Sequence, residues 1–173
     1  MPPDAEDLFE PAPLIGALTR SEVDFVVIGG VAGGSYGSAF TTFDLDVAYA
    51  RDPENLERLA VVLQSLGAVL RGAPRGLPFQ LDAETLRQGM NFTFDTKLGP
   101  LDILGEPSGA PPYDKLRADA TIIEVRGSTV RVASLDHLIA MKEAAGRPKD
   151  KLMASEYRAL SDALRAPKPS KPD

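Results

Sequence analysis

Hydrophobic residues occur along this chain in short blocks, and the spacing within each block distinguishes helices from strands. Apolar side chains three or four positions apart predict amphipathic helices that begin near residues 13, 53, 134 and 149, the last one running to about residue 164. Asp52 and Ser134 stand where N-caps are expected. Shorter helices are predicted after the glycine doublet at 29–30 and over 113–117.

Short runs of β-branched and aromatic residues, bounded by glycine and proline, predict the strands. The runs are at 24–28, 45–49, 79–81, 91–96, 101–104, 121–125 and 129–132. The fourth and fifth runs lie close enough to form a hairpin, and so do the last two. Residues 71–78 are rich in glycine, proline and arginine and are interpreted as a loop with exposed arginines. This mixture of elements predicts an α+β (α/β) protein.

Composition favours one ordinary globular domain. The chain has 173 residues, of which 43% are hydrophobic, so it is long enough to bury a core. We expect a single domain over 1–165, with its core at 23–133 and C-terminal helices at 134–165, and a disordered tail at 166–173. Cysteine is absent, which excludes disulfides, a thiolate nucleophile and a cysteine zinc site.

Two further absences bear on localisation. No apolar stretch approaches the roughly 20 residues needed to span a bilayer. Residues 1–7 are acidic and lack the basic segment of a signal peptide. We therefore expect a cytoplasmic protein that has no membrane partner.

The charge of the chain limits what it can attract. A formal charge of −6 argues against general electrostatic attraction to nucleic acid. Basic residues are nevertheless concentrated from Lys142 to the C-terminus. They form either a local basic face that meets phosphate or an ordinary solvated surface.

Candidate chemistry begins with two aspartates separated by one leucine. Asp44 and Asp46 stand at the start of a predicted strand, downstream of the doublet Gly29-Gly30 that ends the preceding strand. Alternation along a strand points both carboxylates the same way, where they repel each other unless a cation lies between them. The turn at Gly29 and Gly30 exposes backbone N–H groups of the kind that bind phosphate.

A third carboxylate, Asp102, lies in the apolar strand Leu101–Leu104. A buried charge needs a partner, and three aspartates on neighbouring strands would share one. Such a cluster of hard oxygen ligands suits Mg²⁺ or Mn²⁺. Two ions about 3.5–4 Å apart can activate an attacking oxygen and stabilise a leaving one in phosphoryl or nucleotidyl transfer.

The pattern formed by Ile28-Gly29-Gly30, a spacer, and Asp44-Leu45-Asp46-Val47 resembles the signature of the DNA polymerase β-type nucleotidyltransferase superfamily. The segments 29–32, 138–142 and 146–150, together with Gly37 and Thr42, are similar to its AbiEii-like branch, which includes toxins of toxin–antitoxin systems. The likeness spans roughly residues 23–164. It implies a mixed, mostly antiparallel sheet flanked by helices, with the C-terminal helices packed on it.

The resemblance also implies roles for individual residues. Asp44 and Asp46 would bind two metal ions, and Asp102 would bind the catalytic ion and help to deprotonate the acceptor hydroxyl. The nucleotide would be held by a second group of residues, which comprises Gly29, Gly30, Ser35, Thr42, Lys142, Arg147 and Lys149. Lys142 would neutralise triphosphate charge and is therefore assigned to the catalytic set as well.

Two departures from the family pattern affect this assignment. Many members of the branch carry an arginine in the segment that here reads Ser38-Ala39-Phe40-Thr41, so one expected basic contact is missing. The second residue of the doublet is often serine but here is Gly30, and Ser35 is the candidate replacement for that hydroxyl donor.

Each signal also has a simpler structural interpretation. Asp102 can cap a neighbouring turn, and Lys142 can be the solvent end of an amphipathic helix. His137 is expected on a helix surface rather than in a site. Three aromatic residues near the motif can stack a base or belong to the core, namely Tyr36, Phe40 and Phe43.

The sequence predicts a metal-dependent nucleotidyltransferase that moves a nucleoside monophosphate from an NTP to a hydroxyl group. In the toxin branch the acceptor is the 3′ end of tRNA and a cognate antitoxin is the expected partner. One alternative keeps the chemistry but modifies a partner protein or a small molecule such as an aminoglycoside. Another is a catalytically silent module that binds NTP or a partner, against which the intact aspartates argue.

Overall fold

A computed structural model describes residues 8–74 and 76–170. Its helices are α1 (Ala12–Arg20), α2 (Gly29–Ser35), α3 (Pro53–Ser65), α4 (Ala83–Gln88), α5 (Tyr113–Ala118), α6 (Leu135–Ala145) and α7 (Pro148–Arg165). Its strands are β1 (Phe25–Ile28), β2 (Leu45–Tyr49), β3 (Val69–Leu70), β4 (Asn91–Thr96), β5 (Gly99–Leu104), β6 (Thr121–Val125) and β7 (Ser128–Val132).

The strands form one sheet in the order β3-β4-β5-β2-β1-β7-β6. β1 pairs with β7 and β2 pairs with β5 in parallel, and the other four pairings are antiparallel. The mixed, mostly antiparallel sheet and the two hairpins, β4–β5 and β6–β7, confirm the predicted fold class. Because β1 pairs with β7, the hairpin β6–β7 extends the sheet on the side of β1 that is away from β2.

Register across the sheet brings the two acidic strands together. Asp46 of β2 lies opposite Ile28 of β1 and opposite Asp102 of β5, and Asp102 lies opposite Thr93 of β4. Directly opposed residues project from the same face of a sheet. The two carboxylates therefore leave the same face from adjacent strands.

The other face of these strands forms the hydrophobic core, because alternate side chains point away from the aspartates. Its fully buried members on the central strands are Leu45, Val47, Phe94, Leu101 and Ile103. The apolar side of α3 packs into the same core, as the helical spacing predicts, through Leu56, Leu59 and Leu63. Burial of these side chains provides most of the driving force for folding, at roughly 25 cal/mol per Å² of apolar surface.

The helices lie in two groups beside the sheet. α2 contacts β1, β2 and α6, and α6 packs on α7, so these helices border the aspartate face. α1, α3 and α4 form the second group. Asp52 and Ser134 cap α3 and α6 as predicted, accepting hydrogen bonds from Asn55 N and His137 N respectively.

Part of the local prediction is wrong around residues 66–90. Residues 79–81 form no strand, whereas the two-residue strand β3 and the helix α4 occur where neither was predicted. Phe79 packs instead against Phe92 and Phe94 of β4. The alternation of apolar and polar residues at 79–81 therefore arises because Phe79 packs against the sheet, and not because the segment pairs with a strand. The tail at 166–170 is exposed and has no regular structure, and residues 171–173 of the predicted tail lie outside the described residues.

Candidate active site

The turn between β1 and α2 is built directly against a carboxylate. Gly29 begins α2 with φ +66°, a conformation that strains any residue with a side chain. A Cβ at this position would lie 2.2 Å from Asp46 Oδ2. Glycine is therefore required twice, for the backbone turn and for the space that Asp46 occupies.

The second glycine fixes the segment that leads into β2. A Cβ at Gly30 would lie 2.7 Å from Thr42 Cβ, so these two residues pack tightly. The Thr42 hydroxyl lies 3.1 Å from the Asp44 carbonyl oxygen and 3.3 Å from Asp44 Oδ1, positions from which it donates a hydrogen bond. Thr42 thus links the Gly29–Gly30 turn to the first aspartate of the pair.

The three predicted metal ligands are brought together. One carboxylate oxygen from each of Asp44, Asp46 and Asp102 lies within 4.8 Å of the other two. All three residues are partly buried. Three carboxylates this close, on rigid strands and beside a tight turn, are a strong concentration of negative charge.

The cluster shifts the protonation of its members. The pKa of Asp46 is raised to about 7, first because the carboxyl group is buried and then because Asp44 and Asp102 repel its charge. Lys142 opposes this shift. The pKa of Asp102 is also raised by burial, against the lowering effect of Arg71. Without a bound cation, the cluster therefore holds a proton near neutral pH.

A divalent cation fits these residues by two observations. Asp102 Oδ1 is buried and makes no aligned hydrogen bond within the described part of the chain, and the guanidinium group of Arg71, 2.9 Å away, leaves it able to bind a cation as well. The donors are all carboxylate oxygens, which Mg²⁺ and Mn²⁺ prefer. A bound cation would complete the coordination of this oxygen and offset the repulsion that, after burial, raises the pKa of Asp46.

Arg71 is a component of the site that the sequence did not reveal. Its Nη2 lies 2.9 Å from Asp102 Oδ1, at ion-pair distance but without the alignment of a hydrogen bond. Its Nε donates to Asp95 Oδ1 at 3.1 Å, and its Nη2 donates to the Phe94 carbonyl at 2.8 Å. The arginine is therefore a fixed, partly buried cation beside the third carboxylate and not the exposed loop residue that was predicted. Arg75, the other arginine of that loop, lies outside the described residues.

On the opposite side, Lys142 faces the cluster from α6. Its side chain is 18% exposed, and its Nζ lies 3.5 Å from Oδ1 of Asp150, which is itself buried. Arg147 binds the same carboxylate, with its Nε 2.7 Å from Asp150 Oδ2. The pKa of Asp150 is lowered, chiefly by this hydrogen bond from Arg147. A buried carboxylate that stays ionised thus holds Lys142 in place.

These side chains surround a cleft of about 440 Å³. Most of the predicted site residues line it, namely Gly30, Thr42, Asp44, Asp46, Asp102, Lys142, Arg147 and Lys149. Gly29 lines an adjoining cavity of about 300 Å³ that shares Asp46, Lys142 and Arg147 with the cleft. One wall of the cleft is therefore acidic and the facing wall is basic.

Ser35 is the predicted site residue that the structure does not bring to the cleft. It lies at the C-terminal end of α2, it is exposed, and its hydroxyl donates to the Ala32 carbonyl at 2.6 Å. Ser35 follows Gly29 by six positions in the helix, about 9 Å along the axis. The expectation that Ser35 replaces the missing serine at position 30 therefore has no support in the geometry.

The segment without the expected arginine is held by an acidic residue instead. Glu156 of α7 accepts hydrogen bonds from the Ser38 hydroxyl and, at 3.1 Å, from the Ala39 backbone N–H. Outside the cleft, His137 binds Asp119 with Nε2 2.7 Å from Oδ2, and neither residue lines the cleft.

Comparison with known proteins adds the name of the fold. Neither protein-family models nor curated proteins match the sequence. A lincomycin-bound lincosamide antibiotic adenylyltransferase, LnuA, has a similar structure with a TM-score of 0.59 at 12% identity, over 89% of this chain and 99% of that one. An antigenic nucleotidyltransferase-like protein from Paracoccidioides brasiliensis aligns with a TM-score of 0.57 at 17% identity, over 91% of this chain and 76% of that one. The chain has the nucleotidyltransferase fold.

Within the nucleotidyltransferase fold of this chain, the acidic strands and the glycine turn occupy the centre of the sheet. At these identities the likeness establishes the fold alone, because one fold can host different chemistries. Among the described residues, no helix combines the length and the hydropathy that a membrane span requires.

The raised pKa of Asp46 predicts how stability depends on pH. The folded protein keeps this proton up to about pH 7, whereas the unfolded chain releases it near the ordinary value of 3.8. The free energy of unfolding contributed by Asp46 therefore falls as pH rises between these values, by at most about 4 kcal/mol at 1.36 kcal/mol per pKa unit.

Urea unfolding of the wild type and of Asp46→Asn, measured from pH 4.5 to pH 8, isolates this contribution because the amide does not titrate. We expect the variant to gain stability relative to the wild type as pH rises, and Mg²⁺ to restore the wild type at pH 8. A stability difference that does not change with pH would contradict the raised pKa.

Proposed function

We propose that this protein is a metal-dependent nucleotidyltransferase, which transfers a nucleoside monophosphate from an NTP to a hydroxyl group and releases pyrophosphate. One observation carries the proposal. Asp44, Asp46 and Asp102 converge on one side of a cleft whose other side presents Lys142, beside the Gly29–Gly30 turn. This pairing of a cation-binding cluster with a phosphate-binding wall matches the charges of a metal-bound triphosphate.

Bound Mg²⁺ or Mn²⁺ ions would polarise the α-phosphate and stabilise the attacking and leaving oxygens. Asp44 and Asp46 would hold two ions, and Asp102 would hold the catalytic one. Asp102 would also accept the proton of the acceptor hydroxyl. The backbone at Gly30 and the ammonium group of Lys142 bind the β and γ phosphates, and Asp150 orients Lys142 for that contact.

Arg147 and Lys149 lie at the rim of the same basic wall. The Arg147 side chain is 75% exposed and is already bound to Asp150. It would have to give up part of this ion pair to bind phosphate, whereas Lys149 would not. Lys149 is exposed at the start of α7 and has no ion pair among the described residues. We assign both residues a secondary role in nucleotide binding.

For the acceptor, we propose the 3′ end of tRNA, as the resemblance to the AbiEii-like toxin branch suggests. A cognate antitoxin would then be the partner, and the reaction would take place in the cytoplasm. The basic wall from Lys142 to Lys149 is assigned to the triphosphate, so the tRNA acceptor is proposed on the resemblance alone.

A small-molecule acceptor is the second candidate, and a specific observation favours it. LnuA, a lincosamide antibiotic adenylyltransferase, shares the fold over nearly its whole length. The formal charge of −6 also suits a cationic or neutral acceptor better than a polyanion. A partner protein modified on a hydroxyl side chain would fit the same chemistry.

The test supplies each of the four α-labelled NTPs with Mg²⁺ to the protein together with total tRNA, with a lincosamide and an aminoglycoside, or with cell lysate. Label on tRNA supports the first acceptor, and label on an antibiotic or a protein supports the second class. The Asp46→Ala variant is the control. The proposed function would be contradicted if neither the wild type nor the variant transferred label to any acceptor.

A further inference from the structure

Phe43 differs from every other aromatic residue of the chain. The sequence has seven phenylalanines and four tyrosines, all within the described residues. Ten of these side chains are buried or packed against the core, including Tyr36 and Phe40, whereas Phe43 is 61% exposed. Of the three aromatic residues that the sequence offered for stacking, Phe43 is the one that the core does not hold.

The position of Phe43 is as informative as its exposure. An isolated exposed apolar side chain on an ordinary surface needs no explanation. Phe43, however, lines the cleft of the proposed site and precedes Asp44 directly in sequence. It is an exposed apolar ring on the wall of a cleft whose other residues are mainly charged or hydroxylated.

The backbone on both sides of Phe43 is fixed. Thr42 packs against Gly30 and its hydroxyl bonds to Asp44, which confines the residue between them. Further upstream, Glu156 ties down Ser38 and Ala39. The ring is therefore presented by a segment that is anchored before a ligand arrives, which lowers the entropy lost on binding.

The charges of the cleft indicate which part of an NTP reaches this ring. The triphosphate belongs at the basic wall of Lys142, Arg147 and Lys149, and the α-phosphate belongs at the carboxylates. The nucleoside is attached to the α-phosphate and must then extend away from the basic wall. Phe43, which precedes Asp44 in sequence, is the exposed aromatic side chain that lines the cleft.

We propose that Phe43 is the stacking platform for the base of the bound NTP. The inference rests on the proposed function, since it assigns a base-binding residue to the same site. Stacking on a ring accepts any base and favours purines, which have the larger π surface. Phe43 therefore contributes affinity for nucleotides without reading the hydrogen-bonding edge of the base.

The test compares an NTP with a ligand that lacks the base and the sugar. ATP and inorganic tripolyphosphate are titrated by calorimetry in the presence of Mg²⁺ into the wild type, Phe43→Ala and Phe43→Trp. Val61→Ala serves as the matched control, because Val61 is a similarly exposed apolar side chain, on α3 and away from the cleft. We expect Phe43→Ala to bind ATP about tenfold more weakly and tripolyphosphate unchanged.

Phe43→Trp provides an optical readout, because the chain contains no other tryptophan. We expect this variant to retain affinity for ATP and its fluorescence to change on addition of ATP but not of tripolyphosphate. The assignment would be overturned if Phe43→Ala lost affinity for ATP and for tripolyphosphate equally, or kept its affinity for both. A wild type that binds neither ATP nor any other NTP nor tripolyphosphate would instead count against the proposed function itself.

Discussion

Asp46→Asn is expected to lower nucleotidyl transfer by about a thousandfold or more. Asp46 lies at the centre of the carboxylate cluster, between Asp102 on the adjacent strand and Gly29 on the turn. The amide removes one negative charge and one anionic ligand without changing the size of the side chain. Loss of a single preorganised electrostatic contact at a reacting centre lowers rates by roughly 10²–10³, and this substitution weakens the binding of the ions as well.

The control for this variant is Asp162→Asn, which removes the same charge at an exposed position on α7. We expect its activity to equal that of the wild type. Circular dichroism checks that both variants fold, and at pH 8 Asp46→Asn is expected to be the more stable protein because the repulsion within the cluster is relieved. An Asp46→Asn enzyme with more than a tenth of wild-type activity would contradict the assignment of the metal site.

Lys142→Gln is expected to lower kcat/KM for the NTP by about a hundredfold, with the larger share in KM because Lys142 is assigned to the triphosphate of the bound NTP. The ammonium group is largely shielded from solvent and is held by the buried carboxylate of Asp150. Its charge therefore acts on phosphate in a medium of lower dielectric constant than water. Steady-state kinetics with the labelled NTP and the accepted substrate measure the effect.

Two further variants separate the charge of Lys142 from its structural contacts. Lys142→Arg keeps the charge and should recover part of the activity, although the planar guanidinium group bonds with a different geometry. Lys151→Gln removes a charge from an exposed position of α7, outside the cleft, and should behave as the wild type. Unchanged kinetics in Lys142→Gln would show that Lys142 is only the solvent end of its helix.

Local pattern was sufficient to predict the centre of the fold. The apolar run at 24–28, the strand at 45–49 and the two hairpins each have strong β propensity and clear boundaries, and the structure confirms them. The proximity of Asp46 and Asp102 was also predictable, although their register as direct neighbours on parallel strands was not. Register depends on long-range pairing, which a single sequence does not encode in its local spacing.

The features that were missed depend on tertiary contacts. β3 has two residues, too few for a periodic pattern, yet it is followed by Arg71, which reaches across β4 to Asp102. Ser35 was chosen by chemistry alone, and the direction of α2 carries it away from the cleft. The exposure of Phe43 likewise follows from how the segment 36–44 is tied to α7 and to Gly30, and not from any property of the residue itself.

We expect the three aspartates to hold the divalent ions with which an NTP binds. Calorimetric titration of ATP, GTP, CTP and UTP with Mg²⁺, repeated in EDTA and with Asp46→Asn, tests it without knowledge of the acceptor. We expect at least one NTP to bind the wild type with Mg²⁺, and this affinity to fall at least about tenfold in EDTA and in the variant. Binding that persists unchanged in EDTA and in Asp46→Asn, or no binding of any NTP by the wild type, would contradict it.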